Sequence, residues 1–181
     1  MFHTGFLLTA MTSHAYKACL DRIYKLGRFG IKLELDTIEN MLRLLNHPQK
    51  TYHTVHVAGT NGKGSTAAYI ASILTAAGFK TGVYTSPHLV DFNERMTVNQ
   101  KQISNEDVVK AYEAVNAVDI GKRKATFFEI ATAMAFYYFA RQKVDWAVIE
   151  TGMGGRFDAT NIILPRVSVI TNLSIEHTDY L

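Results

Sequence analysis

The sequence is poor in cysteine and proline and has no long apolar run. Its single cysteine, Cys19, cannot form a disulfide within the chain, which favours a reducing compartment. The first eleven residues are partly apolar, but they lack a basic flank and are too short for an export signal or a membrane span. We therefore expect a cytoplasmic protein without a membrane partner.

The chain also lacks a strong excess of charge of either sign. The 181 residues carry 19 Lys and Arg against 16 Asp and Glu, a net charge of +3, and no basic run exceeds the KRK at 122–124. Nucleic-acid binding is therefore not indicated, although a small anionic substrate would be attracted. Apolar residues make up 48% of the chain, enough for one full core. Neither repeats nor a linker divide it.

Apolar strands alternate with amphipathic helices along the chain. The patterns predict helices at 14–27, 36–46, 104–117 and 125–142, with a further helix after the first strand, and strands at 52–58, 79–86, 144–151 and 165–174. A short hairpin is expected at 95–103. This order predicts an α/β fold, a parallel sheet with helices on both faces. The last two strands are rich in β-branched residues, as doubly covered strands are.

A glycine-rich turn follows the first strand, in the sequence HTVHVAGTNGKGST at 53–66. A strand, a glycine turn, a lysine and a helix in this order present backbone N–H groups to a polyphosphate. The spacing differs from the common G-x-x-x-x-G-K-[ST] loop, because Gly64 follows Lys63 where a hydroxyl is usual. A metal would therefore need at least some ligands from elsewhere in the chain. The alternative is a glycine turn with a solvated lysine.

Other polar residues follow the remaining strands. Ser86 and Glu150 come at the ends of two strands, and the last strand leads to Glu176 and His177. Ligands of parallel α/β sheets lie beyond the carboxyl ends of the strands. We therefore expect these residues to meet the glycine turn at one edge of the sheet.

Four motifs in order resemble one family of enzymes. They read HVAGTNGKGST, GVYTSPHLVDFNERMTVN, IETGMGGRFDATN and VITNLSIEHTDYL. Together they are similar to folylpolyglutamate synthases and dihydrofolate synthases, which are ATP-dependent amide ligases of the Mur-ligase superfamily. The resemblance runs from about residue 15 to the end of the sequence.

The resemblance implies a reaction and its cofactors. Such enzymes transfer the ATP γ-phosphoryl group to a carboxylate of folate or dihydropteroate, and L-glutamate attacks the acyl phosphate. It implies Lys63, Glu150 and His177 as catalytic residues, with Mg²⁺ held by Ser86, Glu150 and His177. The residues implied around the ATP phosphates are Gly59, Thr60, Asn61, Gly62, Lys63, Gly64 and Ser65. We expect a monomer.

The resemblance also implies a substrate site. Folate would contact the Ser86–Arg95 loop, the turn at Lys25–Leu33 and the start of the 125–142 helix. The residues implied are Ser86, His88, Arg95, Thr126, Phe127, Phe128, Glu129 and Arg156. Three alternatives stay open at this point: the phenylalanines are simply core, His88 and Arg95 are only solvated, and Arg156 pairs with Asp158.

Members of this family are more than twice as long as this chain and continue into a lysine and a C-terminal domain. From the composition of the N-terminal segment, we expect residues 1–11 to be a disordered or non-core extension. Residues 12–181 would form the N-terminal ATP-binding domain, without the glutamate-ligase domain and inactive alone. Two rival interpretations are an inert nucleotide-binding module and a cell-wall amino-acid ligase, which shares GTNGK but usually follows it with two threonines.

Overall fold

In the part of the chain that the structure describes, six strands form one mixed sheet. The structure is a computed structural model that describes residues 3–26, 34–121 and 123–174, with side chains from residue 14 onward. The strands are β1 (His53–Ala58), β2 (Thr81–Tyr84), β3 (Met96–Val98), β4 (Lys101–Gln102), β5 (Trp146–Glu150) and β6 (Val167–Ile170). Their order across the sheet is β4-β3-β2-β5-β1-β6.

The centre of the sheet is parallel and one edge is antiparallel. β5 pairs in parallel with both β1 and β2, and β6 pairs in parallel with β1. β3 runs antiparallel to β2 and to β4. The predicted hairpin is confirmed, and its turn residues Asn99 and Gln100 have φ angles of 47° and 65°, which match a two-residue turn between antiparallel strands. The hairpin therefore adds an antiparallel edge to the predicted parallel strands, and the sheet is mixed.

The described residues contain five α-helices beside the sheet. They are α1 (His3–Leu26), α2 (Asp36–Leu44), α3 (Lys63–Ala76), α4 (Asn105–Asn116) and α5 (Phe127–Gln142). α1 begins at His3 rather than at residue 14, so most of the segment predicted as an extension is helical. Whether that segment belongs to the core stays a prediction. Within the described ranges, no helix combines the length and the apolar character that crossing a bilayer requires.

Alternate residues of β5 face two different cores. Ala147 and Ile149 lie in a large core with Phe136 of α5, which also includes residues of α1, α2 and α4. Val148 lies in a smaller core with Ala71 of α3. Because successive strand residues point to opposite faces, helices cover both faces of the central strands. This part of the predicted architecture is confirmed.

The last strand departs from its prediction. β6 pairs with β1 at the edge of the sheet. Val167 is 50% exposed and Ile170 is 64% exposed. The expectation of a strand covered on both faces holds for β5 and is wrong for β6, because an apolar, β-branched sequence does not itself say which strand lies at an edge.

Gly82 of β2 generates the first testable prediction. A Cβ atom at this position would lie 2.8 Å from Cδ1 of Phe139 in α5, which is too close without movement of the ring. We expect Gly82→Ala to lower the free energy of unfolding by about 1–3 kcal/mol through overpacking, measured by urea denaturation.

Two further variants test the cause. Gly155→Ala meets open space and should change the free energy of unfolding far less. Gly82→Ala should lower the free energy of unfolding less in a Phe139→Leu background than in the wild type, because the smaller side chain leaves room for the added methyl group. A Gly82→Ala variant as stable as the wild type would show that helix α5 does not pack this closely on the sheet.

Candidate functional site

The carboxyl ends of three parallel strands border one cavity. Its volume is about 720 Å³, and its wall includes residues 60–65, Ser86 and Glu150. These residues follow or end β1, β2 and β5, respectively. The predicted convergence of the three strand ends is thereby confirmed, although Gly59 does not line the cavity.

The glycine-rich turn ends directly in helix α3. Gly62 precedes the helix with a φ of 79°, and its position has no side-chain cap. The first turn of a helix leaves its backbone N–H groups without intrahelical acceptors, and the helix dipole adds a partial positive charge there. The N–H groups of Lys63, Gly64 and Ser65 therefore form an anion-binding end at the cavity wall.

The lysine of this turn lies back over its own loop. Nζ of Lys63 donates hydrogen bonds to the carbonyl oxygens of Gly59 at 2.7 Å and Thr60 at 3.0 Å. The ammonium group is thus held at the loop by neutral acceptors rather than by a carboxylate. Its charge is available to an anion that enters the cavity.

Glu150 brings a buried carboxylate to the same place. The residue is 4% exposed, and its Oε2 accepts the N–H of Ser86 at 3.0 Å. A Cβ atom on Gly64 would lie 3.6 Å from Oε2, so the carboxylate is beside the start of α3. Burial raises the pKa of Glu150, while the Ser86 hydrogen bond and the charges of Lys63 and Arg95 act in the opposite direction.

The donors fit a hard cation in chemical type. Glu150 supplies a buried carboxylate, and Ser86 beside it carries a hydroxyl, which are oxygen ligands of the kind Mg²⁺ prefers. Within the described ranges, no three His, Cys, Asp or Glu side chains gather closely enough to hold a metal by themselves. His177, the third predicted ligand, lies outside the described residues, so the metal site stays a prediction.

A second group of side chains surrounds Arg95. The ring of Tyr24 stacks on Phe127 with 5.9 Å between centroids and 14° between planes. The guanidinium of Arg95 lies 5.0 Å from the centroid of Phe127, and its Nε donates to Nδ1 of His88 at 2.7 Å. Arg95 is 6% exposed, so the alternative in which it is only solvated is wrong. Among the described residues its guanidinium contacts an aromatic ring and an imidazole, and no salt bridge joins it to a carboxylate.

The rest of the predicted T-F-F-E segment begins helix α5. Oγ1 of Thr126 accepts the N–H of Glu129 at 3.2 Å, and Oε2 of Glu129 accepts the N–H of Thr126 at 2.7 Å. This is a capping box. Phe128 packs on the loop after β5, where a Cβ atom on Gly152 would lie 2.4 Å from its ring. Of this segment, Phe127 contacts Tyr24 and Arg95, whereas the ring of Phe128 pairs with that of Tyr84. The substrate roles of all four residues stay predictions.

Asp158 holds the loop that follows Glu150. Its Oδ2 accepts the N–H groups of Gly152 at 2.9 Å and Met153 at 2.8 Å. Its Oδ1 accepts both the N–H and the hydroxyl of Thr160, at 3.0 Å and 2.5 Å. Arg156 is exposed on the same loop. The alternative ion pair between Arg156 and Asp158 is therefore wrong, because the carboxylate is occupied by its own loop.

A buried histidine extends this network to β1. Nε2 of His56 lies 2.8 Å from Oγ1 of Thr160, and since the threonine hydroxyl donates to Asp158, the imidazole donates to the threonine. Burial lowers the pKa of His56, and the negative charge of Asp158 opposes this shift. The network ties β1, the strand that leads into the glycine-rich turn, to the loop after Glu150.

Two features of the site escaped the sequence analysis. Asn172 accepts hydrogen bonds from the backbone of Thr60 and Asn61. One signal in the sequence points to Asn172. It comes shortly after the last strand, at the edge of the sheet where ligands are expected. Tyr24 carries no such signal, because its partner Phe127 is distant in sequence. Most of the turn at Lys25–Leu33, which was predicted to contact the substrate, lies outside the described residues.

His56 generates a prediction on pH. Its folded-state pKa lies below the ordinary value of 6.5, so the unfolded chain binds a proton first as the pH falls. The contribution to stability is therefore complete above about pH 7 and is lost as the pH falls toward the folded-state value. We expect His56→Gln, whose amide can still donate to Thr160, to lose less stability than the wild type between about pH 7.5 and pH 5.

Chemical denaturation at a series of pH values measures this difference. The comparison is between the two slopes, so that other titrating groups, which both proteins share, cancel. Equal losses of stability in the two proteins would show that His56 is not held neutral in the fold.

Comparisons with known proteins show the family to which the chain belongs. The family model described as the Mur ligase middle domain matches residues 57–181. The dihydrofolate synthase/folylpolyglutamate synthase of Bacillus subtilis is 42% identical over 175 residues, which are 92% of this chain and 40% of that protein. The chain thus spans well under half the length of this curated relative.

Solved structures show the same fold. Mycobacterium tuberculosis folylpolyglutamate synthase (FPGS), complexed with ADP and AMPPCP, superposes with a TM-score of 0.83 at 40% identity, covering 92% of this chain and 39% of that one. An FPGS–AMPPCP–folate complex gives a TM-score of 0.84 at 38% identity, covering 91% and 42%. The family model covers more than half of the chain, so this chain belongs to the Mur ligase family, and it is similar to folylpolyglutamate and dihydrofolate synthases.

Proposed function

We propose that this chain is the phosphate- and metal-binding part of an ATP-dependent ligase that joins L-glutamate to folate, to dihydropteroate or to both. The observation that carries the proposal is the shared cavity. There the free N–H groups at the start of α3, the ammonium group of Lys63 and the buried carboxylate of Glu150 meet within one wall. Such an arrangement suits a triphosphate and its cation.

The chain's own groups would position the two anions of the reaction. The ATP phosphates would lie against the loop formed by Gly59, Thr60, Asn61, Gly62, Lys63, Gly64 and Ser65. Lys63 would exchange its neutral carbonyl acceptors for γ-phosphate oxygens. The interaction of its positive charge with these negatively charged oxygens is stronger. The substrate carboxylate would then attack the γ-phosphorus, ADP would leave, and glutamate would displace phosphate from the acyl phosphate. Phosphoryl transfer of this kind depends mainly on positioning and charge neutralisation.

Magnesium is part of the proposal. Ser86, Glu150 and His177 would hold it, and when bound it would neutralise phosphate charge. The raised pKa of Glu150 supports a cation at this point, because the buried carboxylate lacks a full counter-charge in the described structure.

The aromatic group around Arg95 supports the choice of substrate. Tyr24 and Phe127 offer flat apolar faces, and Arg95 with His88 offers hydrogen-bond donors beside them. A flat heterocycle with an acidic tail combines the features that these side chains recognise. The solved FPGS complex with AMPPCP and folate contains both ligand types that we propose here. The contributions of Ser86, Thr126, Phe128, Glu129 and Arg156 to this site are part of the same proposal.

Two further points belong to the proposal. We expect a monomeric, cytoplasmic protein, and we expect the 181-residue chain to bind ATP but not to complete the reaction, since it spans 40% of the Bacillus subtilis relative. Glutamate-dependent ADP release by this chain alone would refute the second expectation.

A ligase that acts on cell-wall precursors is the rival activity. Offering the whole enzyme folate and a UDP-linked muramyl substrate in parallel separates the two.

Lys63→Ala tests the phosphate site. We expect the variant to bind ATP roughly 10- to 100-fold more weakly, because a charge-assisted contact is lost, and to abolish ATP hydrolysis in the whole enzyme. Isothermal titration calorimetry of the chain measures the first effect. The exposed Lys101 of β4 supplies the control, since Lys101→Ala should bind as the wild type does. Wild-type turnover in Lys63→Ala would refute the assignment.

Glu150→Gln tests the cation site. The variant should need more Mg²⁺ for ATP binding, because a neutral amide is a poorer ligand. It should also unfold at a higher temperature in EDTA near neutral pH, because the native state no longer buries a charge. Glu106→Gln, on the surface of α4, is the matched control. An unaltered Mg²⁺ titration in Glu150→Gln would remove this residue from the metal site.

A further inference from the structure

The first half of the phosphate loop is held by the segment that follows β6. Asn172 uses two of its groups for this: its carbonyl oxygen accepts the N–H of Thr60 at 2.9 Å, and its Oδ1 accepts the N–H of Asn61 at 2.8 Å. Two successive backbone donors of the loop are therefore directed at Asn172. The N–H groups at the start of α3, by contrast, have no acceptor within the helix.

Hydrogen bonds also run in the opposite direction. Oγ1 of Thr171 donates to the carbonyl oxygen of Asn61 at 2.7 Å. The hydroxyl of Thr60 donates to the carbonyl oxygen of Ser174 at 3.1 Å and accepts the N–H of the same residue at 3.0 Å. Both polar groups of the Asn61 peptide are thus bonded to residues 171–174.

The two segments are too close for a side chain at Gly59. Its φ is +132°, and a Cβ atom would lie 2.2 Å from Oγ1 of Thr171 and 2.9 Å from the carbonyl oxygen of Asn172. Glycine is therefore required here by the close approach of residues 171–174. The cavity is not the reason, since Gly59 does not line it. The first glycine of the loop serves the attachment, and Gly62 serves the start of the helix.

We propose that Asn172, assisted by Thr171, is a positioning residue that holds the phosphate loop in its binding conformation before nucleotide arrives. The inference rests on the proposed function. A loop that is already ordered loses less conformational entropy when a ligand binds. The N–H groups of Thr60 and Asn61 accordingly shape the loop, while those of Lys63, Gly64 and Ser65 remain for phosphate.

The experiment uses the 181-residue chain with ATP and Mg²⁺. Asn172→Leu removes the acceptor for the Asn61 N–H at similar volume, and Asn172→Asp retains an acceptor. Calorimetry gives the ATP dissociation constant well below the unfolding temperature. Amide hydrogen exchange by NMR, without nucleotide, reports the Thr60 and Asn61 N–H groups directly. The control is Asn40→Leu, because Asn40 accepts a bond from Arg43 on α2, remote from the loop.

We expect Asn172→Leu to bind ATP roughly tenfold more weakly and to exchange its Asn61 amide faster. Asn172→Asp should restore slow exchange at Asn61, which a general loss of stability would not do. Asn40→Leu should bind ATP as the wild type does. Thr171→Val should also weaken ATP binding, because valine cannot donate to the carbonyl oxygen of Asn61. This second variant keeps the test valid if Asn172→Leu does not fold.

Three results would overturn the inference. Wild-type ATP affinity in a folded Asn172→Leu or Thr171→Val variant would overturn it while leaving the proposed function intact. Slow exchange at Asn61 in Asn172→Leu would show that the loop does not depend on this acceptor. A wild-type chain that fails to bind ATP would overturn the proposed function and the inference with it.

Discussion

The parallel pairing of β5 with both β1 and β2 is the constraint on which the site depends. The register places Val57 opposite Glu150, and Tyr84 opposite Ile149. Because the three strands run in one direction, the residues that follow them emerge at one edge. A helix start, a buried carboxylate and Ser86 are thereby brought together from positions that are far apart in the sequence. A shift of β5 by one residue would turn Glu150 toward the opposite face.

This arrangement places the buried carboxylates of Glu150 and Asp158 beside hydrogen-bond donors. Burial raises the pKa of Glu150, yet the carboxylate is kept beside the N–H of Ser86 and near two cations. The Asp158 carboxylate, by contrast, is satisfied by the N–H groups and hydroxyl of its own loop. Of these two buried acids, Glu150 has coordination capacity left for a ligand, and Asp158 has a structural role. That difference rests on hydrogen-bond partners, which neither residue type nor spacing reveals.

Local patterns predicted much of the fold. The glycine turn between β1 and α3, the hairpin at 95–103 and the apolar helix α5 each have a signature within one short stretch. The exposure of β6 has none, because an edge strand and a central strand share the same apolar sequence. The stacking of Tyr24 on Phe127 and the attachment of Asn61 to Asn172 also join residues far apart, the latter pair by 111 positions. Such contacts follow from strand order, which the sequence pattern left open.

The central claim is that three strand ends form one site for a triphosphate and its cation. NMR chemical-shift mapping of the chain with Mg²⁺ and AMPPCP tests it most directly. The account predicts that the amides of Lys63, Gly64 and Ser65 shift in the same titration as those of Ser86 and Glu150, with one dissociation constant. Shifts confined to the loop, or to a surface away from all three strand ends, would contradict it.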